Sequence, residues 1–273
     1  MSSRLFALAT AAALVSSLAV AQTPAVAPAS PASPPAMPVV AAAPGIAAAV
    51  ADATRPAKDV QQDASRRPVD LVAFSKVKPG DKVIDAVPGG GYWTRIFSTL
   101  VGTTGRVYAY VPSEFAAFKS NPLATARAIA TEPGHGNVEA TSSPLAEQPP
   151  ARIHNTLDVF WTFENYHDFH DSFMKGADVG AYNKAVFAML KPGGYYLVAD
   201  HSAVAGSGLK HTEDLHRIDR ETVKTEVLRA GFVLDGETDA LANPADDRTL
   251  KVFDPAIRGK TDRFVLRFRK PAQ

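Results

Sequence analysis

Polar and titratable side chains gather where apolar runs of this chain end. Asn165 and His167 stand in Phe163-Glu164-Asn165-Tyr166-His167-Asp168, directly after the apolar run Leu157 to Thr162. An asparagine hydrogen-bonds an amide or a carboxylate, and a histidine serves as a general base near neutral pH. His201 follows Asp200 at the end of another apolar run, and His216, Arg217 and Asp219 precede a helix-like stretch. On a shared rim these groups would contact an acidic or polar acceptor. The plainer alternative is a set of helix caps and ion pairs between a loop and a helix.

The stretch that must position this chemistry is Val83-Ile84-Asp85-Ala86-Val87-Pro88-Gly89-Gly90-Gly91-Tyr92-Trp93-Thr94. It begins as a strand, breaks into glycines and continues into a helix. Glycines remove Cβ atoms from a contact, and a helix start offers free N–H groups, so such a turn lets backbone approach a nucleotide-type ligand. A tight strand-to-helix turn without a ligand is the alternative. The glycines do not make G-x-G-x-x-G, which weakens an NAD reading.

The chain has 7 histidines and no cysteine. His167-Asp168-x-His170-Asp171 and His211 with His216 have ligand types, but no HExxH or Cys/His spacing is present, so no metal site is expected. A net charge of +1 with both signs scattered gives no basic stripe for nucleic acid.

Around these residues the pattern alternates strand with helix. Short strands are expected at Lys82 to Val87, Arg106 to Val111, Asn137 to Thr141, Leu157 to Thr162 and Tyr195 to Asp200. A further strand starts at Phe232, and Arg263 to Arg269 alternates apolar with basic residues. Helices are expected over 69–74, from Thr94 to Leu100, from Pro112 to Ala130 with a break at Asn121-Pro122, from Ala181 to Leu190 and from Asp219 to Ala230. Ile46 to Val60 reads as a weak helix leading in. Alternation of this kind builds a parallel sheet covered by helices on both faces, with the ligand beyond the carboxyl ends of the strands. The last two strands are expected to pair as a closing hairpin.

The amino-terminal zones have a different composition. Met1 to Ala21 carries Arg4, an apolar run from Leu5 to Val20 and a small-residue cleavage pattern, and reads as a secretory signal peptide. No cysteine follows, which excludes a lipoprotein anchor, and no stable membrane insertion is expected after cleavage. Residues 22–50 form an Ala/Pro-rich linker, with 7 prolines between Gln22 and Gly45. The folded domain is expected over 51–273, in an exported, periplasmic or secreted protein. No feature specifies an oligomeric state.

Four features together resemble class I S-adenosylmethionine-dependent methyltransferases. They are Val83-Ile84-Asp85 running into Gly89 and Gly91, Gly105-Arg106-Val107-Tyr108-Ala109, Leu190-Lys191-Pro192-Gly193-Gly194 before a strand, and Ala230-Gly231-Phe232. Pro88 to Tyr92, Asn165-Tyr166-His167 and Leu215 to Asp219 resemble more closely a little-characterised branch of exported predicted methyltransferases. The resemblance implies a Rossmann-like seven-stranded sheet in the order 3-2-1-4-5-7-6 with the last strand antiparallel, S-adenosylmethionine as cofactor, and a small-molecule methyl acceptor.

It also implies a methyl-donor site at the ends of the first, second and fourth strands. Asp85, Gly89, Gly90, Gly91, Tyr92, Glu114 and Asn165 are its candidate cofactor-binding residues, and His167, His201 and His216 its candidate catalytic ones. Tyr92 and Trp93 would stack on an adenine or shield a sulfonium, or serve as core aromatics. Two positions depart from the pattern. Val87 stands where a glycine is usual, and Val111 where an acid that bonds the ribose is usual, with Glu114 the nearest substitute. Those departures favour an alternative, an exported small-molecule binding protein of the same fold without catalysis.

Overall fold

The computed structural model describes residues 44–147 and 151–272. The signal-peptide and linker expectations for residues 1–43 lie outside the described residues. Among the described residues, no helix is long and apolar enough to cross a membrane.

The centre is a seven-stranded sheet in the order β3-β2-β1-β4-β5-β7-β6. The strands are β1 (Lys82–Ala86), β2 (Arg106–Pro112), β3 (Val138–Ser143), β4 (Leu157–Phe163), β5 (Leu190–His201), β6 (Val233–Thr238) and β7 (Arg263–Arg269). β1 through β5 pair in parallel, and β7 runs antiparallel to both β5 and β6. The strand order is the one the resemblance implied, and the closing hairpin is as the sequence predicted. The central strands are near-continuous apolar runs because both faces are covered. Val83, Val107, Phe160, Trp161 and Leu197 are all withdrawn from solvent.

The helices are α1 (Pro44–Val50), α2 (Ala57–Val60), α3 (Asp63–Arg66), α4 (Pro68–Ser75), α5 (Tyr92–Val101), α6 (Pro122–Ala130), α7 (Val179–Met189), α8 (Thr212–Leu215) and α9 (Arg220–Arg229). Their ends follow local chemistry. Pro68 occupies the first turn of α4. Asp178 accepts from Ala181 N–H at the start of α7, and Asp219 from Glu221 N–H at the start of α9.

Three expectations are corrected. The domain does not begin at Ala51, because α1 buries Ile46 and Ala49. An Ala-rich composition hid that apolar face. Ile46 to Val60 is two short helices rather than one, since Pro56 removes an amide donor. The helix expected from Pro112 to Ala130 is a 3-10 turn, Ser113–Ala117, followed by α6. Asn121 divides them, with φ 46° and its side chain accepting from Ala124 N–H at 3.2 Å.

Candidate functional site

β1 and β4 are neighbours, with β2 on one side and β5 on the other, so the sheet changes direction of growth between them. At their carboxyl ends lies a cleft of ≈ 280 Å³. Asp85, Val87, Pro88, Gly89 and Gly90 enter it from β1 and the following turn, and Phe163, Glu164 and Asn165 enter it from β4. Tyr92 and Trp93 close one wall, and Arg66 from α3 reaches over the rim. The Arg66 guanidinium lies 4.6 Å from the Tyr92 ring centroid and 5.3 Å from that of Phe163. A cation over an aromatic face is attracted to it, so this arginine straps the amino-terminal segment to the cleft.

The glycines divide by task. A Cβ at Gly89 or Gly90 meets nothing within 4 Å, so both present bare backbone to open space. A Cβ at Gly91 would sit 2.2 Å from Ile129 Cδ1, and Gly91 has φ +87°. Gly91 therefore lets α5 pack against α6, and it does not line the cleft. Arg95 fixes the turn from below. Its Nη1 donates to Gly90 O at 2.8 Å and to Asp59 Oδ2 at 2.9 Å, while Nε and Nη2 donate to Glu132.

Asp85 is buried and accepts from the Thr94 hydroxyl at 2.6 Å. Burial, only partly offset by Thr94, pushes its carboxyl up to about 7. Tyr92 donates its hydroxyl to Asp63 Oδ1 at 2.6 Å. Trp93 packs into an aromatic cluster, 4.7 Å from Trp161 and 4.9 Å from Phe163 between centroids. Of the two aromatics, Tyr92 presents a polar handle and Trp93 is a core residue that also touches the cleft.

Glu114 does not enter the cleft. Its carboxylate accepts from Leu145 N–H at 3.0 and 3.2 Å. It ties the turn after β2 to the end of β3, which corrects its assignment as a ribose ligand. Val111 is buried at the end of β2, so no acid reaches the cleft from that strand.

Glu164 is an acid that the sequence reading missed. Burial opposes its charge, but the Arg263 and Arg66 guanidiniums outweigh it and hold the carboxyl below its usual range. Arg263 Nη1 donates to Glu164 Oε1 at 2.8 Å, and Arg263 Nη2 donates to Ser65 O at 2.7 Å. The link crosses from β7 to the amino-terminal segment, so local sequence carried no sign of it.

The three candidate histidines do come together. The His167 ring lies 6.2 Å from that of His201 and 5.3 Å from that of His216. Their environments differ. His167 is 3% exposed and uses both ring nitrogens, one against Asp200 and the other facing Asp168 and His216. Burial opposes its charge, but Asp200 and Asp168 outweigh it and hold the imidazole well above its usual range. His167 does not line the cleft, and both of its ring nitrogens face protein groups. Burial instead pushes His201 down to about 4, and its Nδ1 lies 2.9 Å from the Thr261 hydroxyl. His201 is the neutral imidazole of the group.

Arg217 belongs to structure. It is fully buried, paired with Asp246 at 2.9 Å, and bonded to Leu250 O and Ser202 O. Asn165 joins the two zones, lining the cleft while its Nδ2 donates to Asp168 Oδ2 at 3.3 Å.

No family model and no curated protein matches this chain. Solved structures share its fold. An S-adenosylmethionine-dependent methyltransferase from Aquifex aeolicus superimposes with a TM-score of 0.54 at 18% identity, covering 79% of this chain and 98% of that one. A second, from Mesorhizobium loti, gives 0.53 at 14% identity, covering 76% and 99%. The cyclase SpnF gives 0.55 at 19% identity, covering 78% and 83%. At such identities the likeness concerns the fold, and the cyclase is a reminder that one fold carries several activities.

Proposed function

We propose that this chain is an S-adenosylmethionine-dependent methyltransferase acting on a small molecule. The observation that carries the reading is the cleft at the carboxyl ends of β1 and β4, where Gly89 and Gly90 leave room that a Cβ would fill. Open sheets of this topology bind their ligands at that position. The fold shared with known methyltransferases supports the same assignment.

The residues fit a methyl donor at its charged end. Asp85 and Glu164 supply carboxyls to a cationic ligand, Asn165 supplies an amide to its carboxylate, and the Gly89-Gly90 backbone allows close approach. When bound, the cofactor supplies an electrophilic methyl group to an acceptor lone pair aligned in line with the breaking bond. His201, beside Glu164 and left unprotonated by burial, is the candidate acceptor for a proton released on methyl transfer, a weak base that acts only as that proton becomes acidic. Arg66 and residues of the short helices α2 and α3 line the rim of the cleft.

A small-molecule binding protein without catalysis remains the second reading. Val87 in the glycine turn and the Glu114–Leu145 bond, which leaves β2 without an acid in the cleft, favour it. Titration of the purified domain with S-adenosylmethionine and S-adenosylhomocysteine by calorimetry tests the assignment. Binding that Gly90→Val abolishes supports a donor site. No heat and no thermal shift at millimolar ligand overturns it. Methyl transfer from labelled donor into an extract of small molecules, lost in His201→Gln, separates the enzyme from the binding module. The export reading belongs to this proposal too. Recovery of a chain beginning at Gln22 from the periplasm or medium would support it, and an intact Met1 terminus in the cytoplasm would overturn it.

A further inference from the structure

His167 Nε2, Asp168 Oδ1 and His216 Nδ1 point at one another from two separate segments. His167 and Asp168 lie on the 3-10 turn His167–His170 that follows β4, and His216 follows α8. His167 Nε2 is 3.2 Å from His216 Nδ1 and 3.3 Å from Asp168 Oδ1, and His216 Nδ1 is 3.7 Å from Asp168 Oδ1. A tetrahedral zinc with bonds of about 2.0–2.1 Å holds its ligand atoms about 3.3–3.4 Å apart. The triangle already has that size.

Groups behind two of the three ligands turn those ligands toward the triangle. Asp200 is fully buried, and its Oδ2 accepts the His167 backbone N–H at 2.8 Å. Its Oδ1 lies 2.8 Å from His167 Nδ1 and also accepts His201 N–H at 2.7 Å. A carboxylate in that position accepts a hydrogen bond from Nδ1–H, which fixes the tautomer and leaves Nε2 as the lone-pair nitrogen. This is the arrangement that orients histidine ligands in metal sites. Asn165 occupies Oδ2 of Asp168 and leaves Oδ1 facing the histidines.

His216 adds a second kind of observation. Its φ is +54°, an uncommon left-handed conformation for a non-glycine residue, although one in which histidine is enriched, and firm surroundings favour it. Those surroundings are present. The next residue, Arg217, is clamped by Asp246, Leu250 O and Ser202 O, and Leu215 O accepts Val252 N–H at 3.2 Å. The backbone is thus held in a costly state that presents His216 Nδ1 to the other two ligands.

We propose that His167, Asp168 and His216 form a binding site for a divalent cation of the zinc class. Two imidazoles and one carboxylate suit zinc or a neighbouring transition metal, whereas calcium and magnesium prefer oxygen ligands alone. Three protein ligands leave one position open, as in sites that bind a water or a substrate atom. His216 and Asp168 keep 22% and 16% of their side chains exposed, so the open position faces solvent. Asn165 bridges this site to the cleft, which makes an anionic oxygen of a small molecule its natural fourth ligand. The site stands whether or not the cleft takes a methyl donor.

The test strips the purified protein with EDTA and titrates it with zinc chloride by calorimetry, counting bound zinc by elemental mass spectrometry. One zinc per chain is expected, with cobalt(II) giving the intense visible bands of a four-coordinate site. His216→Gly suits the left-handed backbone, so it should keep the fold while weakening zinc binding at least 10-fold. Asp168→Asn should weaken it comparably, and Asp200→Asn by about 10–100-fold. No bound zinc at saturating metal overturns the proposal. So does a folded His216→Gly or Asp168→Asn variant that binds zinc as the parent does, because the metal would then sit elsewhere.

Discussion

The Thr94 hydroxyl donates to Asp85 Oδ2 at 2.6 Å, and both side chains are buried. Asp85 is the penultimate residue of β1 and Thr94 lies in the first turn of α5, so the bond fastens the strand to the helix across the glycine turn. It also leaves a carboxyl at the cleft that ionises reluctantly, because a single hydroxyl does not replace lost water.

That carboxyl makes stability depend on pH. Burial raises Asp85 from 3.8 to about 7 in the folded chain. Between those limits the folded protein holds a proton that the unfolded chain has released. The contribution is therefore complete below the lower limit and is lost as pH rises through about 7, at a total cost of roughly 4 kcal/mol. Asp85→Asn should remove this loss. Urea unfolding at about pH 4 and about pH 8 should show a smaller difference for the variant than for the parent. Equal differences would place the ionisation elsewhere.

Gly90 and Gly91 are neighbours with opposite expected sensitivities. Gly91→Ala drives a Cβ to 2.2 Å from Ile129 Cδ1 at a φ of +87°. It should destabilise the domain by about 2–4 kcal/mol through strain and overpacking. Gly90→Ala faces open space at an ordinary φ and should cost less than about 1 kcal/mol. Its effect should fall on ligand affinity. Paired thermal melts and donor titrations would separate the two, and equal melting shifts would refute the division of labour.

Val87 is β-branched yet has φ +52°. Such a conformation costs roughly 1–2 kcal/mol for an L residue and nothing comparable for glycine. Glycine in ordinary backbone is less stable than alanine by about 0.5–1 kcal/mol. At this position the order should invert, with Val87→Gly at least as stable as Val87→Ala in urea. Alanine more stable than glycine would mean that the neighbours, not the residue, relieve the strain.

The sheet was legible in the sequence because central strands buried on both faces leave continuous apolar runs, as at Leu157 to Thr162. The glycine turn and Asn165 were legible because both follow directly from a strand end. What stayed hidden depends on distant partners. The role of Gly91 is set by Ile129 on another helix, and the direction of Glu114 by the amide of Leu145. His167 and His216, 49 residues apart, were expected on one rim, but the direct approach of their ring nitrogens was not. No spacing rule registers such a pair. Arg217 looked like a site residue for a related reason, since nothing local announces Asp246 as its partner.

Arg95 gives the sharpest stability prediction. Its guanidinium bonds Asp59, Glu132 and Gly90 O at once, joining α2, the end of α6 and the glycine turn. Asp59 is only 2% exposed. Removing the arginine strands a buried carboxylate, and breaking a buried pair from one side costs about 3–5 kcal/mol. Arg95→Met should therefore lower the urea midpoint sharply. Much of the loss should return in Arg95→Met with Asp59→Asn, since the second change removes the stranded charge. Glu132 is more exposed, with 36% of its side chain in solvent, so Glu132→Gln should cost less than about 1 kcal/mol. If the double variant is no more stable than Arg95→Met alone, the energy resides in the bond to Gly90 O. Ligand affinity in the cleft should then fall in step with stability.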